Sequence, residues 1–443
     1  MNKGFFALVL ACLTVVLSAC GGSGGNTPTT PGITTAPATT PATTPALTTP
    51  PATTEFEPSS YAALNHRDMK AIWLSQYDLS PIYLSGDVQR PEGDFAARMA
   101  HVLDNVAASG FNTVFLQLRP NADSMYPSEH YPTSAYVTGQ LGREMQYDPV
   151  AIIVALAHQR NLSIHAWINP LRGMAEEEIA LVDSRYAIRR WYDSPQVRKK
   201  YLVAVDGKWY LNPAYSDVTD LIVAGAEEAL SRYAFDGLHL DDYFYPTTDP
   251  SFDALAYNAF GNGKTLADFR RGNINLLVRR LYDLTHASGQ GRIFGISPAG
   301  NHETVYNSQY ADIYTWCAKE GYVDYICPQV YFGLEHGSFD FQKVCKTYSD
   351  MIKAEQVDLV VGMTFGKAYT GQDQWAGEGK NEWLEHDDVL KRSLQTTQNL
   401  PHCRGISVFC YQYLFDPLSG APIPETAREW QNFCPVLKDI AWE

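Results

Sequence analysis

The chain has few of the patterns that would bind it to a metal, a nucleic acid or a bilayer interior. Its eight cysteines include no C-x-x-C pair and none of the cysteine–histidine spacings of a zinc site, so no metal and no cofactor is expected. Residues 61–443 hold no G-x-S-x-G segment, which removes the usual nucleophile elbow of an esterase from that part of the chain. Basic side chains are scarce: 34 Lys and Arg stand against 49 Asp and Glu, a formal charge of −15. That balance argues against nucleic acid or anionic lipid as the principal ligand. The one long apolar run, Phe5 to Leu17, is too short for a comfortable membrane span.

That run has a different use. Lys3 precedes it, and Leu17-Ser18-Ala19-Cys20-Gly21 follows it, the form of an export signal ending in a lipobox. Cys20 is then the expected lipidated first residue of a mature protein held on the membrane of a bacterial cell envelope, with residues 1–20 as the signal. Residues 21–60 are almost wholly Thr, Pro, Ala, Gly and Ser, a composition that cannot repay the entropy of ordering and reads as a disordered linker. No second low-complexity break divides residues 61–443, which read as one large domain.

In that domain short apolar runs alternate with amphipathic stretches, eight of each, the pattern of a (β/α)₈ TIM barrel with long βα-loop insertions. Expected strands are 71–75, 113–119, 163–169, 235–241, 293–297, 325–331, 359–364 and 406–411. Expected helices include 94–109, 148–159, 217–233 and 266–285. Six cysteines lie in the domain. Cys327 and Cys410, inside apolar runs, read as buried thiols, and the other four as able to pair in an oxidising compartment.

Strand parity carries more information than strand count. Alternate side chains share a face, and one face of nearly every strand turns polar or aromatic toward its C-terminal end: Trp73; Phe115, Gln117 and Arg119; His165, Trp167 and Asn169, with Arg172 just beyond; His239 and Asp241; Ser297; Gln329 and Tyr331. A purely structural barrel would fill that face with aliphatic layers. A convergent polar set fits a ligand mouth. His165 and His239 lie deep enough to read as satisfied core histidines. Trp73 and Trp167 suit either barrel packing or sugar stacking. Arg119 and Arg172 suit either ligand contact or pairing with Asp241 or Asp242.

The run Phe235-Asp236-Gly237-Leu238-His239-Leu240-Asp241-Asp242-Tyr243-Phe244-Tyr245 ends in two adjacent carboxylates followed by aromatic rings. Glycosidic hydrolysis takes a carboxyl acid and a second carboxylate. Two crowded, poorly solvated carboxyls retain one proton between them. Asp241 and Asp242 are the candidate catalytic residues, with Asp242 either a partner or a loop cap. Asp123, Glu129, Glu303, Glu335, Glu378 and Glu382, in expected βα loops, remain open as a further carboxylate.

Together these segments resemble the glycosyl hydrolase-like 10 family of bacterial lipoproteins. The resemblance rests on Ala71-Ile72-Trp73-Leu74, Phe111 to Pro120, His165 to Pro170, Phe235 to Tyr245, Gly295 to Gly300 and Asp324 to Tyr331, in order from about Lys70 to Tyr413. It implies an envelope (β/α)₈ hydrolase of a polysaccharide, with a relative that cuts peptidoglycan strands already stripped of stem peptides. The family's acidic positions fall on Asp241 and Asp242, and its other polar positions on Gln117, Arg119, Asp123, Asn169, Arg172, Gln329 and Tyr331. Trp73, Trp167 and Tyr243 complete the expected substrate-binding set. The segment from Thr364 to Glu385, with Tyr369, Trp375 and Trp383, is a departure that bears on substrate choice. The expectation is a lipid-anchored glycoside hydrolase whose partner is a glycan. A catalytically silent glycan-binding lipoprotein and a polysaccharide esterase or deacetylase remain as alternatives.

Overall fold

The computed structural model describes residues 61–442 apart from Ser288. The expected signal, the Cys20 acceptor and the linker lie outside the described residues.

Eight parallel strands close into a barrel: β1 (Met69–Leu74), β2 (Thr113–Arg119), β3 (Ser163–Ile168), β4 (Gly237–Leu240), β5 (Ile293–Ile296), β6 (Tyr325–Ile326), β7 (Asp358–Thr364) and β8 (Cys403–Phe409). Each pairs with its sequence neighbours, and β1 with β8 closes the ring. The (β/α)₈ expectation is met, and the four expected helices appear as Glu92–Ala108, Pro149–His158, Ser216–Arg232 and Leu266–His286. Local chemistry sets their starts. The Asp148 carboxylate accepts the Val150 and Ala151 N–H groups, and the Thr265 hydroxyl accepts that of Asp268, satisfying donors a helix leaves open at its first turn.

Strand parity divides the apolar residues into two cores. Ile72, Leu74, Val114, Leu116, Ile164, Ala166, Leu238 and Leu240 face outward into the layer beneath the helices. Ala71, Trp73, Phe115, Trp167 and Tyr325 fill the barrel interior. Room for these rings comes from glycine. A Cβ on Gly295 would lie 2.0 Å from the Tyr325 ring, and one on Gly237 would lie 2.9 Å from the His165 imidazole. The glycines in the β4 and β5 segments thus answer to large inward side chains on neighbouring strands.

Two departures from the expected strands bear on the site. β6 was expected to run to Tyr331 but its ladder stops at Ile326, because Pro328 has no N–H to give. The chain stays beside its neighbours through bridges from Gln329 to Ala299 and Gly362. In β2 the register with β3 shifts between Gln117 and Arg119, and such a bulge breaks strict alternation.

The N-terminal ends of the strands form a closed floor. Asp236, fully buried just before β4, accepts hydrogen bonds from the Tyr61 hydroxyl, the Leu64 N–H, the Ile164 N–H at 2.7 Å and His158 Nε2 at 3.0 Å. Asn65 Nδ2 reaches the carbonyls of Asp236 and Gly291. The described chain therefore enters at the floor, opposite the ends that carry the acidic pair.

The six cysteines among the described residues are unpaired thiols, five of them buried, so Cys317, Cys345, Cys403 and Cys434 do not pair with one another as the sequence allowed. Burial pushes Cys317, Cys327 and Cys403 each up to about 12.

Candidate active site

Asp241 follows β4 directly and is 2% exposed. Its Oδ2 accepts from Trp167 Nε1 at 3.2 Å and from Asn169 Nδ2, and its Oδ1 accepts the Tyr243 N–H at 3.1 Å. Burial first, and then the charge of Asp242, hold this carboxyl well above the usual range; the Tyr243 N–H, Arg172 and Trp167 act in the opposite direction. Asp242 is half-buried. Burial raises its pKa as well, opposed by its own N–H, a hydrogen bond with Gln329 and the charge of Arg172. The two carboxyls therefore titrate as a pair that keeps a proton above the pH at which a free Asp would lose it.

A relay fixes Asp241. The Gln76 N–H, at the start of the helix Gln76–Tyr83, donates to Gln117 Oε1 at 2.7 Å; Gln117 Nε2 donates to Asn169 Oδ1 at 2.8 Å; and Asn169 turns its own amide N–H to Asp241. Each amide spends its oxygen on the donor behind and its nitrogen on the acceptor ahead, so each orientation follows from the next. The helix that begins this relay is held by a capping box between Ser75 and Asp78. Asp78 is fully buried and also accepts the Gln412 N–H at 2.6 Å, tying the end of β1 to the turn after β8. The S-x-x-D spacing at 75–78 was the available signal for this cap.

Arg172 lies with its guanidinium carbon 4.5 Å from the centre of the Tyr243 ring, a cation–π contact beside the pair. Gln329 donates to the Ser297 carbonyl at 3.1 Å while facing Asp242. Tyr331 packs on Phe409 with ring centres 5.9 Å apart, and the charge of Asp242 adds to the upward push on its hydroxyl. Asp123 is 4% exposed in the loop after β2, where its Oδ1 takes the Asn121 N–H and burial raises its pKa.

Two expected residues stand elsewhere. Arg119 was placed by parity on the inner face, but beyond the β2 bulge it turns outward. Its NH1 donates to the Tyr131 hydroxyl, and its NH2 to the carbonyls of Asn169 at 3.0 Å and Pro170 at 3.1 Å. It braces the turn that presents Asn169 and does not pair with either aspartate. Trp73 is 1% exposed, bonded through Nε1 to Ser407 Oγ at 3.1 Å, and edge-on to Phe115, Trp167 and His239; no ring face is left open for a sugar. Beneath it the Tyr325 hydroxyl links His165 Nδ1 at 3.0 Å and His239 Nδ1 at 2.8 Å. Burial pushes the His165 imidazole down to about 4 and holds that of His239 well below the usual range, so both are core groups, although His239 Nε2 has no hydrogen-bond partner among the described residues and is not satisfied as expected.

Among the open carboxylates, Glu382 spends both oxygens on the Leu334 and Glu335 N–H groups, and Glu129 is exposed. In the 364–385 segment Tyr369 and Trp375 are exposed at 45% and 53%, whereas Trp383 is buried. Among the described residues no group of three or more His, Cys, Asp or Glu side chains is placed to hold a metal ion.

The model of the family described as "Glycosyl hydrolase-like 10" matches residues 68–376. Glycosyl hydrolase DigH of Escherichia coli K12 is 28% identical over 411 residues, covering 86% of this chain and 90% of the relative. Glycosyl hydrolase YngK of Bacillus subtilis 168 is 29% identical over 369 residues, covering 77% and 68%. Among solved structures, the PgaB (BpsB) glycoside hydrolase domain of Bordetella bronchiseptica superposes with a TM-score of 0.54 at 13% identity, over 83% of this chain and 99% of that one. The catalytic domain of β-amylase from Paenibacillus polymyxa gives 0.52 at 11% identity, over 84% and 99%. At these identities the superpositions speak to the fold alone.

Proposed function

The chain belongs to the glycosyl hydrolase-like 10 family, and from that premise we propose that it is an envelope-anchored glycoside hydrolase that cleaves peptidoglycan glycan strands lacking stem peptides. The observation that carries the proposal is the Asp241–Asp242 pair after β4, with Asp241 buried and fixed by Trp167, Asn169 and the Tyr243 N–H and Asp242 half-buried beside it. A pair that keeps a proton above the usual carboxylate range has the property needed to protonate a leaving glycosidic oxygen. Its remaining charge stabilises the oxocarbenium-like centre that develops as the bond breaks.

The surrounding groups then have distinct roles. Trp167, Asn169 and, through Asn169, Gln117 hold Asp241 in one orientation. Arg172 and Gln329 set the charge balance at Asp242. Tyr243, Tyr331 and Arg172 line the approach and contact the sugar. The Cys20 anchor, in this reading, keeps the barrel at the envelope.

The test is mass spectrometry of glycan strands, stripped of stem peptides, after incubation with the purified protein and with Asp241→Asn. Shortened strands from the wild type alone support the proposal. Saturable binding without new chain ends overturns it in favour of a silent glycan receptor, and release of acetate without shortening overturns it in favour of a deacetylase.

A further inference from the structure

Between β3 and β4 the chain makes a small antiparallel sheet of three strands, Arg172–Ala175, Leu202–Val205 and Lys208–Leu211, with 208–211 in the middle. Its register pairs Arg172 with Tyr210 and Ala175 with Lys208, with a shift between the two pairs whose extra residue lies in the 172–175 strand, so the 208–211 strand keeps its alternation. Lys208 and Tyr210 share a face, so Lys208 lies diagonally across from Arg172 on the side that carries the guanidinium to Tyr243 and the acidic pair. The close fit of the two strands fixes this placement, since a Cβ on Gly173 would meet the Trp209 carbonyl oxygen at 2.4 Å.

Lys208 is half-buried, and its side-chain amine makes no hydrogen bond or ion pair among the described residues. The acids near it are engaged: Glu178 Oε2 accepts the Ala175 N–H at 2.9 Å, and Asp123 Oδ1 accepts the Asn121 N–H at 2.8 Å. Burial, and then the charge of Arg172, push the Lys208 amine down to about 8, with Glu178 and Asp123 opposing. Two neighbouring cations at the edge of a largely desolvated mouth repel each other until an anion lies between them. The insertion has the matching bias, carrying more cationic than acidic side chains over residues 172–211 in a chain of net charge −15.

We infer that Lys208 and Arg172 form an anion subsite beside the acidic pair, one that takes the carboxylate of an acidic sugar in the bound glycan. The inference rests on the hydrolase reading above and gives it a basis for substrate choice. Removing a stem peptide hydrolyses an amide and uncovers one lactyl carboxylate per disaccharide. A strand that keeps its peptide presents a neutral, bulkier amide at the same position. The subsite thus reads the chemical difference between stripped and peptide-bearing strands, with Lys208 as a point charge and Arg172 as a planar donor.

The experiment compares stripped strands with the same strands after conversion of the lactyl carboxylates to methylamides, using the full-length protein, Lys208→Gln and Lys208→Arg. Wild type is expected to favour the free carboxylate by about 10-fold in kcat/KM, carried by KM. Lys208→Gln is expected to bring that ratio close to one, and Lys208→Arg to restore most of it. A wild-type ratio near one, or a Lys208→Gln variant that keeps the wild-type ratio, overturns the inference. Calorimetry with the Asp241→Asn variant separates the two claims. Preferential binding of the free carboxylate without cleavage by the wild type overturns the hydrolase and supports the subsite; cleavage indifferent to amidation does the reverse.

Discussion

Asp236 and Asp241 stand at opposite ends of β4, both at most 2% exposed, and the barrel treats them differently. Asp236 is surrounded by donors at the floor: a tyrosine hydroxyl, two backbone N–H groups and His158. Asp241 also has donors, but it is set beside a second carboxyl, and that neighbour is among the forces that raise its pKa. A buried charge that is fully hydrogen-bonded holds structure together. A buried charge crowded by a like charge stores a proton and costs stability. The contrast teaches that burial alone does not mark a functional carboxylate; the sign of its closest charged neighbour does.

The largest effect should come from the mouth. Asp241→Asn is expected to lower kcat by roughly 10²–10⁴-fold while the far-ultraviolet circular dichroism and the cooperative unfolding of the protein stay intact. Equal losses of activity and of folded protein would erase the distinction between the two ends.

Next is the floor. Asp236→Ala leaves several donors and His158 without a partner and should cost about 3–5 kcal/mol, seen as a fall in Tm of about 5 °C. Turnover at a temperature where the variant remains folded should be little changed. A Tm within 1–2 °C of wild type, by scanning calorimetry, would show that the clamp is redundant.

The relay sits between the ends in magnitude. Gln117→Leu strands the Gln76 N–H and Asn169 Oδ1 and frees Asn169 to rotate, so kcat should fall about 10-fold with KM nearly constant. A change confined to KM would make Gln117 a sugar contact instead.

The smallest and most diagnostic effect concerns pH. Both mouth carboxyls have pKa values raised above their unfolded ones, so the folded state resists ionising them. Their destabilising contribution is absent below the unfolded carboxylate range, near pH ~4, and grows as pH rises through the folded values. Asp242→Asn should therefore raise Tm at pH 7–8, by on the order of 2 °C, and the gain should vanish toward pH 4. Because Asp242 helps raise Asp241, the same change should move the basic limb of any residual pH–rate profile to lower pH. An unchanged limb would uncouple the two residues.

Much of the fold and part of the site were legible in the sequence because they depend on local periodicity. The alternation of Trp73, Phe115, Trp167 and His239 with Leu74, Leu116, Ala166 and Leu240 separates the inner from the outer core before any contact is known. The Asp241-Asp242 dyad ends a readable strand, whereas the strand expected over 325–331 stops at Ile326, two residues before Pro328. What stayed hidden depends on contacts between distant segments. The outward turn of Arg119 follows from a register shift against β3, which no single strand records. Gln117 was readable as a polar mouth residue, but its service to Asn169 depends on the Gln76 N–H from another loop. Asp236 reads as one more strand residue until Tyr61 and Leu64 arrive from 172 or more positions away. Lys208 acquires its place only through the register of an inserted sheet.

One paired measurement tests the central claim most directly: thermal unfolding and cleavage of stripped glycan strands, run side by side on wild type, Asp236→Asn and Asp241→Asn. The account predicts that Asp241→Asn unfolds at or above the wild-type temperature and yields no shortened strands, while Asp236→Asn unfolds several degrees lower and still cuts. A folded Asp241→Asn protein that shortens strands at the wild-type rate would contradict the assignment of catalysis to the Asp241–Asp242 pair.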